Sequence, residues 1–262
     1  MNKKKSDISV SIVTYNNSAD FDNRIQPLIS MLKSSDISRV YIIDSNSVDD
    51  TPLKIKKIAE SEPFIEPIFL LDNKGFGYGH NKAISKSHSN YHLVMNLDAI
   101  PKSRDTLKKM AKYMDEHSDV HLLSPLIRFP DGSIQYLTRN EPTVLDLGIR
   151  FLGPKWFKSR QKSFVNFDTG YDHEQIIYNA SGSFMFFRLD YLKEIGGFDE
   201  KYFLYMEDTD ITKSINDKGK AIFSPDFEVI HEWQRNNHST KGAIMMLKSM
   251  FIYFNKWGWK LW

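Results

Sequence analysis

Asn96 and Asp98 stand two residues apart at the end of the apolar run Tyr91 to Met95, and this pairing is the first place where the chain could do chemistry. The run reads as a buried strand. In open α/β sheets ligands bind at the carboxyl ends of strands, and an Asn beside an Asp there is an oxygen-donor set for a hard divalent cation. A turn cap before Pro101 explains Asp98 equally well. Other groups could act with it. Thr14-Tyr15-Asn16 closes one β-rich run and Asp44 closes a second. Asn73-Lys-Gly75-Phe-Gly77-Tyr-Gly79-His-Asn81 follows a third, its glycines letting the backbone come close to a ligand. Glu207-Asp208-Thr-Asp210 opens a helical stretch. Acids there offset the helix dipole without any chemistry, yet successive residues turn by about 100°, so the three cannot all face one cleft, and one is left to take a proton. His231 ends a late apolar run.

Elements must hold these groups in place. Residues 8–14 alternate Ile-Ser-Val-Ser-Ile-Val-Thr and predict a strand. Ile25, Leu28, Ile29 and Leu32 follow at helical spacing, with Pro27 tolerated near the first turn or kinking the helix. Residues 40–44 predict a second strand, Thr51-Pro52 an N-cap and first-turn pair, and 65–71 a third strand. Strand and helix alternating through the first hundred residues imply right-handed parallel crossovers, with polar residues gathered along one sheet edge. Ser103 is expected to cap a helix carrying Leu107, Met110, Ala111 and Met114 on one face. Residues 120–129 predict a strand, and Asp131-Gly132 a hairpin returning through 134–137.

Over 139–172 the periodicity fades. Arg150, Lys155, Lys158, Arg160 and Lys162, with Phe151, Leu152, Trp156 and Phe157 among them, read as a mobile basic-apolar flap or a solvated surface loop. Order returns with a strand at 184–187, a helix stopping at Lys218-Gly219, and a strand over 227–230. From Thr240 a helix is expected with Ile244, Leu247, Phe251 and Phe254 on one stripe. Six aromatics fall between Phe251 and Trp262, with Lys256 and Lys260 among them and no acid after Glu232. Such a segment suits a lipid headgroup layer, or docks its stripe on its own domain.

Composition bounds the rest. With 262 residues, 41% hydrophobic, and no Pro-, Ser- or Gly-rich linker, the expectation is one α/β domain with an elaborated end. A net charge of +2 gives no global field for nucleic acid, and no basic run is interleaved with aromatics as in a single-strand binder. The chain has no cysteine, which excludes disulfides and thiolate chemistry and fits a reducing compartment. Met-Asn-Lys-Lys-Lys is not followed by an apolar signal core, and no apolar run approaches the ~18 to 20 residues of a membrane span. A cytoplasmic location is expected.

The order of the motifs is more specific than any one of them. Ser11-Ile-Val-Thr-Tyr-Asn-Asn17, Asn73-Lys-Gly-Phe-Gly-Tyr-Gly-His-Asn81, Asn96-Leu-Asp98, Gly196-Gly-Phe-Asp-Glu200 and Tyr205-Met-Glu-Asp-Thr-Asp210 together resemble the family 2 glycosyltransferases of the GT-A fold. Within them the chain looks most like the bacterial rhamnosyltransferases of O-antigen and capsule assembly. The resemblance implies an α/β/α sandwich around a mostly parallel sheet. It implies a transferase domain over 1–235, with a nucleotide-sugar half at 8–100 and an acceptor-side half at 101–235, followed by a helical segment over 236–262. It implies that Thr14, Tyr15 and Asn16 line the nucleoside pocket and that Asp44, with Asn46, meets the base or ribose. Asn73, Gly75, Gly77, Gly79, Asn81 and Asn96 would border the donor sugar and its phosphates. Asp98 and His231 would hold Mg2+ or Mn2+, Asp208 would be the catalytic base, and Ser181, Gly182, Glu207 and Arg235 would lie on the acceptor side.

The implied reaction is inverting transfer of a single sugar, rhamnose from dTDP-rhamnose, to a hydroxyl of a lipid-linked or surface-polysaccharide acceptor. A polyprenyl-diphosphate-linked saccharide is the implied partner, with peripheral membrane contact. Two departures from the family pattern matter. Asn96 replaces the first acid of the usual Asp-x-Asp, removing one negative charge from the metal site. The Gln-x-x-Arg-Trp of processive members is absent, since Gln234-Arg235 follows His231 without that spacing, so single addition is favoured over polymerisation. Two alternatives in the chemistry remain open, beside the reading of the aromatic end as marking chiefly a membrane-surface or partner-binding protein. A UDP-hexose or UDP-HexNAc could be the donor, or a degenerate scaffold could bind nucleotide or glycan without catalysis. A nucleotidyltransferase would instead carry a Gly-rich basic loop where Tyr15-Asn16-Asn17 stands.

Overall fold

Both faces of Ile8–Thr14 (β1) are buried, although its sequence alternates apolar with polar. The apolar set packs into the main core, while Ser9 and Ser11 turn to a buried polar layer: Ser9 Oγ lies 2.7 Å from His92 Nδ1, and Ser11 Oγ lies 2.7 Å from His80 Nδ1 and 2.9 Å from His92 Nε2. Burial holds both imidazoles well below their ordinary pKa, so neutral rings fill the layer, as buried polar groups with partners can. Alternation here marks a central strand covered on two sides.

The computed structural model describes residues 7–33, 35, 37–152, 157–167, 170–232 and 240–262. Among them one sheet of nine strands forms. Ile37–Asp44 (β2), Ile65–Phe69 (β3) and Tyr91–Met95 (β4) run parallel to β1 in the order β3-β2-β1-β4. Phe21–Lys33 (α1), Thr51–Ser61 (α2) and Phe76–Lys86 (α3) make the crossovers, as the sequence predicts. Beyond β4 the sheet turns mixed. Ala99–Pro101 (β5) lies at the far edge, and Thr106–Glu116 (α4) leads into Val120–Arg128 (β6). Phe184–Arg188 (β8) is antiparallel to both β4 and β6. Lys220–His231 (β9) is parallel to β6, and Gln175–Ile176 (β7) pairs with β9. The carboxyl ends of β1, β2, β4 and β9 therefore share one edge with the start of β8.

Several local expectations shift. Thr51 is the first helical residue, with Asp50 at the N-cap, and its hydroxyl accepts the Asn17 N–H. Asp105, not Ser103, precedes α4, and Ser103 Oγ accepts the Asp105 N–H in a turn of its own. The Asp131-Gly132 turn forms, but its return pairs only at Ile134 with Arg128. The described part of 139–172 contains two helices, Val144–Leu152 (α5) and Lys158–Phe164 (α6), where a flap or loop was expected. Arg160 bonds Asp146 at 2.6 Å and Thr143 at 3.1 Å, tying α6 to the start of α5, and Leu147 and Phe164 are buried. Lys155, Trp156, Gln234 and Arg235 lie outside the described residues.

A short helix, Leu189–Glu194 (α7), links β8 to the Gly196-Gly197 turn, and Glu207–Asn216 (α8) and Thr240–Trp257 (α9) complete the order. The stripe expected on α9 is largely the outward one. Ile244, Leu247 and Phe251 are exposed, whereas Ser249, Met250, Tyr253 and Phe254 are buried against Leu147, Phe164, Tyr202 and Met206. Both faces are apolar, and the inward one carries the polar handles that the body can meet: Ser249 Oγ donates to Leu204 O at 2.8 Å, and Trp257 Nε1 to Asp210 at 2.7 Å.

Candidate active site

The edge where the strands end collects the predicted groups. Asn96 N–H donates to Ser183 O at 3.0 Å, which seats the Ser181-Gly182-Ser183 loop beside the end of β4. His231, at the end of β9, faces both members of the Asn-x-Asp: its Nε2 lies 3.4 Å from Asp98 Oδ1 and 3.4 Å from Asn96 Nδ2. Gln135 fixes this imidazole, donating to His231 O at 2.6 Å while its Oε1 lies 3.1 Å from His231 Nδ1. That pairing puts the ring proton on Nδ1 and leaves the Nε2 lone pair facing Asn96 and Asp98. Arg24 on α1 completes the edge, 3.3 Å from Asp98 and 3.1 Å from Glu232. Burial works against an ionised Asp98, but His231, when its ring also carries a proton on Nε2, and Arg24 outweigh it and hold the carboxyl below its ordinary range.

The donor set suits a divalent cation in kind and spacing. Among the described residues no three His, Cys, Asp or Glu converge, so the candidate ligands are one carboxylate, one imidazole and one amide. Neighbouring ligands on a six-coordinate ion with bonds of about 2.1 Å stand roughly 3 Å apart, close to the 3.4 Å between Asp98 Oδ1 and His231 Nε2. The hydrogen bond that His231 Nδ1 donates to Gln135 Oε1 is the support that metal-binding imidazoles usually have.

Asp208 looks into a neighbouring cleft of about 270 Å³ that Asn96, His231, Gly182, Tyr205 and Arg139 also line. Two residues in left-handed backbone, Tyr205 (φ 71°) and Met206 (φ 68°), bend the chain into α8 and aim its first turn there. Asp208 accepts the Thr209 N–H at 2.8 Å and the Gly182 N–H at 3.3 Å, which fixes the carboxylate while it lines the cleft. Its neighbours differ. Glu207 is buried, and its Oε2 has no hydrogen-bond partner among the described residues. Burial, then the adjacent Asp208 charge, pushes its carboxyl far above the usual range. Asp210 points away, to Tyr202 Oη at 3.2 Å, Lys256 Nζ at 2.8 Å and Trp257 Nε1 at 2.7 Å. The three acids at the start of α8 thus do three different things.

On the other side of the edge, the structure gives the expected donor residues mixed surroundings. Tyr15 is half exposed, and Asn16 and Asn46 take left-handed backbone at the ends of β1 and β2. Thr14 is buried, its hydroxyl donating to Ile43 O. Asp44 is only 2% exposed, and its two oxygens accept the Ser47 N–H and hydroxyl at 2.9 and 2.6 Å, so in this conformation it closes its own turn instead of facing a base or ribose. Asn73 accepts the Gly75 N–H. The close approach that the three glycines permit is to the protein itself. A Cβ on Gly75, which has φ 101°, would lie 2.1 Å from Phe203 O, one on Gly77 2.7 Å from Phe198 Cβ, and one on Gly79 2.7 Å from Val13 Cγ2. Asn81 likewise grips the chain at Phe198 N and O.

The sequence pattern of glycosyl transferase family 2 matches residues 9–196. The chain belongs to this family. It is 28% identical over 216 residues to the N-acetylglucosaminyl-diphospho-decaprenol L-rhamnosyltransferase of Mycobacterium tuberculosis (strain H37Rv), covering 77% of this chain and 67% of the relative. Rhamnosyltransferase WbbL of Escherichia coli K12 is 28% identical over 248 residues, 88% of each chain. Among solved structures the fold is similar to that of the mannosyltransferase PcManGT from Pyrobaculum calidifontis in complex with GDP-Man and Mn2+ (TM-score 0.63, 17% identity), with 90% of this chain covering 59% of that one. It is also similar to S. aureus TarS 1–349 in complex with UDP-GlcNAc (TM-score 0.60, 19% identity; 95% and 67% covered). The chain thus spans about three-fifths of the mannosyltransferase, and these likenesses establish the GT-A fold.

In this family 2 glycosyltransferase Asp208, His231 and α9 all lie beyond residue 196, where the family match ends. Sequence reasoning did not find Arg24, Gln135 or Arg139 as members of the site. Nothing local marks them, because each meets the edge only through the fold.

Proposed function

We propose that this chain is an inverting glycosyltransferase that moves a single sugar, rhamnose from dTDP-rhamnose, to a hydroxyl of a saccharide carried on a lipid diphosphate. One observation carries the reading: the Asp208 carboxylate and the Asn96-Asp98-His231 donor set open onto adjoining walls of one cleft region. The two rhamnosyltransferase relatives support the donor, and the name of the mycobacterial one supports the acceptor class.

The chemistry follows from the residues. Asp208 accepts the acceptor hydroxyl's proton as that oxygen bonds to the anomeric carbon from the face opposite the leaving group. The bond from that carbon to the diphosphate breaks with its electron pair, so the nucleoside diphosphate departs and the configuration inverts. Asp98, His231 and Asn96 would hold a divalent cation, Mg2+ or Mn2+, which when bound supplies Lewis-acid neutralisation of the diphosphate. Gln135 keeps the His231 lone pair turned to that position. Glu207, retaining its proton in the buried wall, adds no second negative charge beside Asp208.

A lipid-borne acceptor would reach the cleft at a membrane. No helix among the described residues is long and apolar enough to cross one. The exposed Ile244, Leu247 and Phe251 on α9, flanked by Lys241 and Lys248, form an apolar-basic surface suited to an anionic bilayer, which fits peripheral work on the cytoplasmic face.

The test is nucleoside diphosphate release from dTDP-rhamnose, UDP-hexoses and UDP-HexNAc, with and without a polyprenyl-diphosphate-linked saccharide, in Mg2+, Mn2+ or chelator. Acceptor-dependent release from dTDP-rhamnose is expected. Release from a UDP-sugar alone, as the UDP-GlcNAc held by TarS suggests, changes the donor. No release from any donor while nucleotide still binds supports a non-catalytic scaffold.

A further inference from the structure

Arg139 is held at the mouth of the site with its charge unused. Its backbone is fixed, because it forms a bridge with Asn179 and its N–H donates to Asn179 O at 3.4 Å. Its side chain is half-buried and lines two adjoining spaces, the Asp208 cleft and a cavity of about 190 Å³ walled by Tyr136, Asp146 and Arg160. Other arginines around the sheet are engaged: Arg24 with Asp98 and Glu232, Arg128 with Glu228, Arg160 with Asp146, and Arg188 with the carbonyls of Met114 and Val120. The Arg139 guanidinium makes no hydrogen bond and no ion pair among the described residues. Asp146, the acid that shares its cavity, is already filled by Arg160 and Thr143.

No Arg139 nitrogen is cut off from solvent, so its donors are available to a ligand in the cleft, and the planar guanidinium fork matches phosphate oxygens two at a time. We propose that Arg139 binds a diphosphate group at the mouth of the Asp208 cleft. Two substrates bring that chemistry, the nucleotide sugar and the lipid-linked acceptor, and the lining favours the second. The cleft on this side is walled by Pro142, Leu147, Phe164, Leu204 and Met246, an apolar path on which a lipid chain could continue from its diphosphate. Of the residues assigned to the donor only Asn96 lines it; Thr14, Asp44 and Gly75 do not. The choice of the acceptor rests on the transferase function proposed above; the anion site itself does not.

Two measurements on the full chain decide it. In the first, inorganic pyrophosphate is titrated by calorimetry into the wild type, Arg139→Gln and Arg139→Lys, with melting temperatures recorded to verify folding. Pyrophosphate affinity should fall roughly tenfold to a hundredfold in Arg139→Gln, the range for losing hydrogen bonds to a charged group, and less in Arg139→Lys. Equal affinity in all three folded proteins overturns the proposal whether or not the chain transfers sugar. The second compares transfer kinetics. An acceptor KM raised by a similar factor in Arg139→Gln, with kcat and nucleoside diphosphate affinity nearly unchanged, assigns the acceptor diphosphate. The difference between wild type and variant should then vanish for the same saccharide on an uncharged linker. A raised donor KM with weakened nucleoside diphosphate binding assigns the donor's diphosphate instead. A KM defect that persists on the uncharged linker, with pyrophosphate binding intact, reduces Arg139 to a structural role and overturns the proposal.

Discussion

At the scale of single residues, the first turn of α8 separates three acids by their surroundings. Asp208 is held by N–H donors and lines the cleft, so Asp208→Asn, which keeps shape but cannot take a proton, is expected to slow transfer about 10²-fold to 10⁴-fold with little change in nucleotide affinity. Single-turnover assays beside nucleotide titrations check this, and normal transfer by the variant moves the role to another group. Asp98→Ala should remove Mn2+-dependent nucleotide binding yet leave the fold standing, because Arg24 keeps Glu232 and Asp20 as partners. Calorimetry with manganese and with chelator reads that result, and unchanged binding in manganese rejects the assigned ligand. Glu207 gives a signature in pH. Its folded carboxyl holds a proton that the unfolded chain releases, so the native state binds more protons and stability falls as pH rises from the ordinary glutamate range toward the folded value. Glu207→Gln lacks that slope. Its stability relative to wild type in urea titrations should therefore grow with pH across this window, and a constant difference would mean Glu207 is ionised.

At the scale of elements, strands were legible because apolar runs that stop on Thr14, Asp44 and Asn96 state both the strand and its polar end. The crossover helices were legible through their spacing. What could not be read was which surface each group meets. The glycines after β3 look like a ligand cradle in sequence, but α3 lies so close to β1 and to the turn around Phe198 that its Gly77 and Gly79 are spacers between protein surfaces. The direction of the α9 stripe stayed open for a related reason. With apolar residues on both faces, periodicity cannot choose between them, and the choice falls to the polar atoms of Ser249 and Trp257 that find partners on the body. The outward face is left with Ile244, Leu247 and Phe251 beside lysines. Replacing these three by Ser should leave melting nearly unchanged and weaken flotation with anionic vesicles, whereas equal flotation of the triple variant removes the membrane role from this face.

At the scale of the whole molecule, the end of the chain and the site are one packed unit. Lys256 and Trp257 reach back to Asp210, two residues beyond Asp208, and the inner face of α9 covers Leu147, Phe164, Tyr202 and Met206. This has a genetic consequence. A premature stop at any codon before 256 would strip the Asp210 carboxylate, 2% exposed in the intact protein, of its ammonium and indole partners, leaving it Tyr202 Oη, and would uncover part or all of the apolar surface under α9. Late nonsense and frameshift alleles should therefore behave as losses of protein instead of as enzymes with altered specificity. In pulse-chase or protease-resistance measurements a product ending at residue 239 should disappear far faster than a full-length Asp208→Asn chain, although both are strongly impaired in transfer. A truncated product as long-lived as that variant would show that the last helix is dispensable to the fold.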